Sequence, residues 1–330
     1  MFALPEDWVW DFWVVDEGDT YHLFFLYASK AMKDPEERHL HAAIGHATSA
    51  DLTHWQRLPD ALVRGDRPSF DDTATWTGCT VQHPDGTWFT FYTGVTLAGT
   101  GNVQTIGYAT STDLISWHKN STNPVLEADP TWYEKYDATS EWHEEAFRDP
   151  WVLPDPDGNG WHMLITARAN HGPSDDRGII GHATSPDLHH WTLEPPLTPP
   201  GQGFGQLEVT QVANVDGHHL LLFSCLSTQL AARKQASGPG GVWVATADSE
   251  LGPFHIADAQ PVTDNSLYVG RLIQDHNTKQ WLFLAFHNEA VAGAFIGEIT
   301  DPEPVHWTGA QLLRGPHLTT HPHDPVTTVP

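Results

Sequence analysis

Hydrophobic and polar positions along this chain change over in short bursts and not at helical spacing. Five apolar runs recur: "YHLFFLY" (21–27), "WFTFYTG" (88–94), "WHMLIT" (161–166), "HLLLFSC" (219–225) and "WLFLAF" (281–286). Each follows a turn signal. The turns read Asp-Glu-Gly-Asp, Pro-Asp-Gly, Pro-Asp-Gly-Asn-Gly, Val-Asp-Gly and Asp-His-Asn-Thr-Lys. Asp-Gly and Asn-containing turns between apolar runs are hairpin signals, because the turn needs positive φ. No stretch carries sustained helical periodicity of comparable strength.

A second pattern repeats beside the first. "GHATSADLTHW" from Gly45 recurs as "GYATSTDLISW" from Gly107 and as "GHATSPDLHHW" from Gly181, with seven of eleven positions identical in all three. A degenerate copy, "GEITDPEPVHW", begins at Gly297, and "VWVATADSELGPF" begins at Val242. Each unit therefore reads strand, turn, strand, then a further strand that ends at the "DL…W" segment. Five such units fill most of the 330 residues. Radial repetition protects the edges of small antiparallel sheets, so the pattern predicts an all-β, five-bladed β-propeller, as one domain over 1–330 with its active site in the central funnel. A β-sandwich would not require five similar units, and a β-helix would repeat at much shorter spacing.

In a propeller the first strand of each blade lines the axis, so residues where those strands begin converge. Aligned on their turns, unit one contributes Asp11 in "VWDFWVV", unit three Asp149 in "FRDPWVL" and unit four Glu208 in "GQLEVTQV". Unit two contributes Trp76 and Thr77, and unit five Tyr268. Three acids crowded at one rim raise one another's pKa, a cost that suits a site using the perturbation. Arg148 beside Asp149 offers a planar fork of donors to hydroxyls or to the carboxylates themselves. Two acids flanking a glycosidic bond, one protonated and one ionised, are the machinery for splitting it, and a third would hold the sugar. Among the 15 tryptophans, Trp55, Trp117, Trp191 and Trp307 close the repeat segments and are expected between blades. Trp8, Trp10, Trp13 and Trp76 are expected near the funnel, where an aromatic face can stack on a sugar ring.

Charge and composition narrow the partners. The formal net charge is −26, from 16 Lys plus Arg against 42 Asp plus Glu. Such a surface repels phosphate backbones and anionic lipid, so neither nucleic acid nor a membrane is expected as a partner. The N-terminus carries no basic segment followed by an apolar run, and a cytoplasmic location is expected. Cys79 and Cys225 match no metal spacing. His41, His46, His189 and His190 fall in repeat segments expected in outer strands and loops, and no "HExxH" occurs, so neither a metal nor another cofactor is expected.

The residues "VWDFW", "YHLFF", "TWTG", "GHATSADLTHWQRLPDAL" and "FRDP", in this order, resemble glycoside hydrolase clan J, the superfamily of invertases, inulinases and levansucrases (families 32 and 68). The resemblance runs from about Asp11 to about Cys225. It implies a five-bladed propeller and a retaining β-fructofuranosidase acting on sucrose or short fructo-oligosaccharides, with fructosyl transfer as a variant. It also implies roles: Asp11 as nucleophile, Glu208 as general acid and base, Asp149 as the group that binds fructosyl hydroxyls. Trp10, Trp76, Thr77, Arg148 and Tyr268 are the expected substrate-binding residues. The chain departs from invertases where they have Asn-Asp-Pro, here Trp10-Asp11-Phe12, and where they have Cys after the acid, here Val209. Inverting arabinofuranosidases and xylosidases on the same propeller remain an alternative, as does a non-catalytic carbohydrate-binding propeller. The loops 97–104, 127–145 and 228–241 are expected to form the rim that selects the rest of the substrate.

Overall fold

The computed structural model describes residues 1–315 apart from 141, 236–237 and 291–292. Positions 316–330 of the expected single domain thus lie outside the described residues, as do one or two positions in the loops 127–145 and 228–241.

Five antiparallel sheets succeed one another along the chain. Blade one is β1 (Asp7–Asp16), β2 (Tyr21–Ser29), β3 (Ala43–Ser49) and β4 (Gln56–Leu62). Blade two is β5 (Ala74–Gln82), β6 (Trp88–Ala98), β7 (Gly101–Ser111) and β8 (His118–Lys119), with β9 (Glu144–Glu145) lying parallel to β7. Blade three is β10 (Phe147–Pro154), β11 (Trp161–Arg168), β12 (Gly178–Ser185) and β13 (Thr192–Glu194). Blade four is β14 (Glu208–Val215), β15 (His218–Cys225), β16 (Gly241–Ala247) and β17 (Gln260–Pro261). Blade five is β18 (Leu267–Gln274), β19 (Trp281–Glu289), β20 (Phe295–Ile299), β21 (Glu303–Trp307) and β22 (Leu312–Arg314). The first strands touch in a closed circle, β1 to β5 to β10 to β14 to β18 and back to β1. The fold is the five-bladed propeller that the repeat predicts. The N-terminus helps close the ring: Phe2 and Ile299 exchange backbone hydrogen bonds of 2.9 Å, and the Phe2 ring packs on Phe25.

The repeated "S-x-D-L-x-x-W" has a physical meaning in each copy. Asp51, Asp113 and Asp187 each accept hydrogen bonds from two backbone N–H groups two and three residues on. The intervening Leu52, Leu114 and Leu188 adopt positive φ of 61°, 58° and 65° and bury their side chains completely. A branched side chain resists that conformation, so it is the Asp bonds and the buried leucine that hold the turn. Trp117 and Trp191 then donate their indole N–H to Leu114 and Leu188 carbonyls and meet rings of the preceding blade, Phe24 and Phe91. Trp55 packs near Phe2, and Trp307 in the cluster shared by blades four and five. Each such aromatic seam is worth about 2–3 kcal/mol of burial.

One expectation needs correction. Trp13 does not reach the funnel: it stacks on Phe24 and donates Nε1–H to Thr80 Oγ1 at 2.9 Å. An extra residue at Asp11 bulges β1 between Trp10 and Phe12, and this turns the strand beyond it toward the seam with blade two. His46 lies on the third strand of its blade, an outer strand as expected. It is fully buried on β3, stacked on Phe24 and hydrogen-bonded to His22 at 2.9 Å, and blade three repeats the pair with His162 and His182 at 2.9 Å.

Candidate active site

All five first strands are bulged where they meet the funnel. The register slips between Trp10 and Phe12, Trp76 and Gly78, Arg148 and Trp151, Glu208 and Gln211, and Tyr268 and Arg271. Bulges re-aim side chains, and here they turn one or two per blade toward the axis. Asp149, Val209 and Val269 occupy equivalent bulge positions with φ of 54°, 51° and 51°. Left-handed backbone at a β-branched valine is strained, and a repeated device holds it. A hydroxyl on the second strand of the preceding blade accepts each bulge N–H: Thr93 from Asp149 at 3.0 Å, Thr166 from Val209 at 3.2 Å, Ser224 from Val269 at 3.0 Å. Glu208 therefore stands one position before the residue equivalent to Asp149, in register with Arg148 and Tyr268.

The bulges open on one cavity of about 760 Å³. Asp11, Asp149 and Glu208 all line it, and so do Trp10, Trp76, Thr77, Arg148 and Tyr268. The sequence-derived residues are thus brought together, as is Trp8. Thr77 donates its hydroxyl to Asp11 Oδ2. Arg148 donates Nη2–H to Glu208 Oε1, and its Nε lies 3.4 Å from Asp149 Oδ2. Tyr268 donates its hydroxyl to Glu208 Oε2, and the Val209 N–H reaches Asp149 Oδ2 at 3.2 Å. Burial pushes the Asp11 carboxyl up to about 6; the Thr77 bond, Arg271 and Arg38 oppose the shift, and Glu208 adds to it. Burial likewise pushes Asp149 up to about 7, against Arg148 and with help from Asp11 and Glu208. Burial and the charge of Glu208 also hold the Tyr268 phenol well above its ordinary value, so it stays a donor.

Several lining residues escaped the sequence reading. Glu144, beside β10, accepts from Arg148 Nη1 at 3.2 Å, Gln206 Nε2 at 2.6 Å and Gln104 Nε2 at 2.9 Å. Burial alone would raise it, but Arg148 and the two amides outweigh that and lower its pKa. Gln104 Oε1 and Gln206 Oε1 also accept from Arg148, so the guanidinium is held from every side. Arg38 and His39 come from an insertion between β2 and β3. Arg38 lies 3.9 Å over the Phe295 ring and donates Nη1–H to Pro35 O at 2.7 Å. The His39 carbonyl accepts the Trp76 indole N–H at 2.6 Å, which fixes that ring in the cavity wall. The His39 ring sits between Trp10 and Trp76, half-exposed, with Nε2 4.0 Å from Glu36 Oε2. No local signal marks these residues; only the fold brings the insertion over the funnel. Each expected rim loop does supply one lining side chain, Asn102, Glu144 and Gln229. Among the described residues, no group of three or more His, Cys, Asp or Glu side chains is arranged to hold a metal ion.

The family model described as "Glycosyl hydrolases family 32 N-terminal domain" matches residues 12–296, from the residue after Asp11 onward. The chain is 28% identical over 192 residues to an invertase of Schizosaccharomyces pombe, covering 54% of this chain and 28% of that protein. It is 32% identical over 175 residues to a sucrose-6-phosphate hydrolase of Zymomonas mobilis, covering 52% and 30% respectively. The match thus spans less than a third of those relatives' length. Among solved structures, an inulosucrase from Halalkalicoccus jeotgali bound to kestose superposes with a TM-score of 0.75 at 21% identity, over 95% of this chain and 88% of that one. A levansucrase from Gluconacetobacter diazotrophicus gives 0.73 at 18%, over 95% and 81%. These likenesses show the shared fold.

Proposed function

The chain belongs to glycosyl hydrolase family 32, and from that premise we propose that it is a retaining β-fructofuranosidase, releasing terminal β-D-fructofuranosyl units from sucrose or short fructo-oligosaccharides. The observation that carries this reading is the convergence of Asp11, Asp149 and Glu208 on one cavity with Arg148 bridging two of them.

In this reading Asp11, ionised, attacks the anomeric C2 of the fructosyl unit. Glu208 delivers a proton to the glycosidic oxygen as the bond breaks, so the leaving sugar departs neutral. The fructosyl ester on Asp11 is then opened by water that gives its proton to Glu208, and fructose leaves with its original configuration. Asp149 accepts hydrogen bonds from ring hydroxyls. Arg148 and Tyr268 fix Glu208 between them, while Trp10 and Trp76 offer aromatic faces to the sugar. A second sugar in place of water would give fructosyl transfer by the same steps.

Incubation with sucrose, raffinose, 1-kestose and an aryl arabinofuranoside tests the reading. Fructose should appear from the first three and no arabinose from the last. Asp11→Ala and Glu208→Ala should each lower turnover by roughly 1000-fold or more while the fold persists. Binding of these sugars with no release of fructose would reduce the protein to a lectin-like propeller and overturn the proposal.

A further inference from the structure

One buried side chain that bridges the inner strands next to Asp11 and Glu208 has no part in the reaction above. Arg271, on β18 three residues past Tyr268, is 3% exposed. Its Nε–H donates to the Phe12 carbonyl at 3.1 Å, and Nη1 donates to the Val209 and Thr210 carbonyls, both at 3.1 Å. The guanidinium also lies 5.4 Å from the centre of the Trp151 ring. One residue of blade five thereby touches blades one, three and four. The acceptors are not arbitrary: Phe12 directly follows Asp11, and Val209 and Thr210 directly follow Glu208.

Among the described residues, no carboxylate lies within ion-pairing distance of Arg271. A buried charge without a paired counter-ion is costly, and an apolar side chain would fill the place more cheaply. A charge kept there calls for a use. We propose that Arg271 is a positioning residue for the reaction: by tying the peptide after Asp11 to the peptides after Glu208, it fixes the spacing of those two carboxyl groups, and its charge supports negative charge on Asp11. This rests on the reading of Asp11 as nucleophile and Glu208 as acid and base.

The other groups around Asp11 do not substitute for it. The Thr77 hydroxyl comes from β5, Glu208 from β14, Asp149 from β10 and Tyr268 from β18, and none of these is a cation. Arg38, from the blade-one insertion, also favours the ionised Asp11, but it is bonded to Pro35 and Glu36 and ties neither the peptide after Asp11 nor those after Glu208. Arg148 is committed to Glu144, Glu208 and Asp149. Facing Arg271 itself are Asp11, Asp149 and the Cys79 thiol, and burial lowers its own pKa to about 10, where it still carries its proton at neutral pH.

The test compares Arg271→Met and Arg271→Lys with the unaltered full chain, reading sucrose hydrolysis against pH and the Asp11 carboxyl by carbon NMR, assigned by its absence in Asp11→Asn. Arg271→Met should lower kcat about 100-fold with KM little changed. It should also move the Asp11 titration and the acid limb of the rate upward by about one unit or more. Arg271→Lys keeps a charge but not the three-carbonyl span, so it should restore the titration and not kcat. A Met variant that is less heat-stable yet titrates as the wild type would reduce Arg271 to a structural plug and overturn the proposal. If the Met variant does not fold, wild-type kcat in Arg271→Lys overturns it, and a lowered kcat with an unmoved titration supports it. If the unaltered protein releases no fructose, the β-fructofuranosidase reading fails, while the NMR titration still decides whether Arg271 sets the charge of Asp11.

Discussion

At the scale of single residues, the funnel is built at the expense of stability. Burial raises Asp11 from 3.8 to about 6 and Asp149 from 3.8 to about 7. Between those values the native state keeps protons that the unfolded chain has already released, so its stability falls as pH rises through that window. Asp11→Asn removes one such penalty, and Asn can still accept from Thr77. We expect Asp11→Asn to melt above the wild type at about pH 8, by the equivalent of about 1–2 kcal/mol, and the difference to vanish near pH 4. Calorimetry at the two pH values checks this; an equal difference at both would show that packing and not ionisation is responsible. With Asp11 as the proposed nucleophile, the same raised pKa gives a pH profile: kcat/KM should fall below about pH 6 as Asp11 takes up a proton.

At the scale of elements, the repeated turn and the bulge divide the labour. The turn stabilises, and the bulge aims. Asp113 shows the first role: the carboxylate accepts from the Ile115 and Ser116 N–H groups and from the Ser111 hydroxyl. Those bonds lower its pKa from 3.8 to about 2, so their contribution is present above the ordinary carboxylate range and is lost as pH falls through about 2. Asp113→Ala should cost about 1 kcal/mol at neutral pH, as removal of a capping side chain does, and denaturant titration measures it. A variant as stable as the wild type would mean that the buried leucine alone holds the turn. The turn was legible in the sequence because the same seven residue types recur at fixed spacing. The bulge was not, since the same left-handed backbone position holds an acid at Asp149 and a valine at Val209 and Val269. Hence the sequence pattern puts Trp13 at the funnel where the bulge turns it to the seam, and nothing in the pattern marks the one-residue offset between Asp149 and Glu208.

At the scale of the whole molecule, ring closure turns five separate sequence positions into one pocket. The acids could be picked out of the sequence because each opens a strand that follows the same repeat logic. Glu144, Gln206, Arg38 and Arg271 could not. Their partners lie up to 259 positions away, as with Arg271 and Phe12, and nothing local marks them as neighbours of the site. The residues proposed to do chemistry are therefore written in repeats, while those that hold them in place are written only in the closed circle.

The covalent step is the core of this reading, and it can be caught directly. β-D-Fructofuranosyl fluoride has a leaving group that needs no proton, so Glu208→Gln should still form the fructosyl ester and then lack the base that helps water open it. Peptide mass spectrometry of that variant after a rapid acid quench should find a hexosyl adduct on the peptide containing Asp11, absent when Asp11→Asn is added. An adduct on Asp149 instead, or steady release of fructose with no adduct in the Glu208→Gln protein, would contradict the assignment of Asp11 as the attacking group.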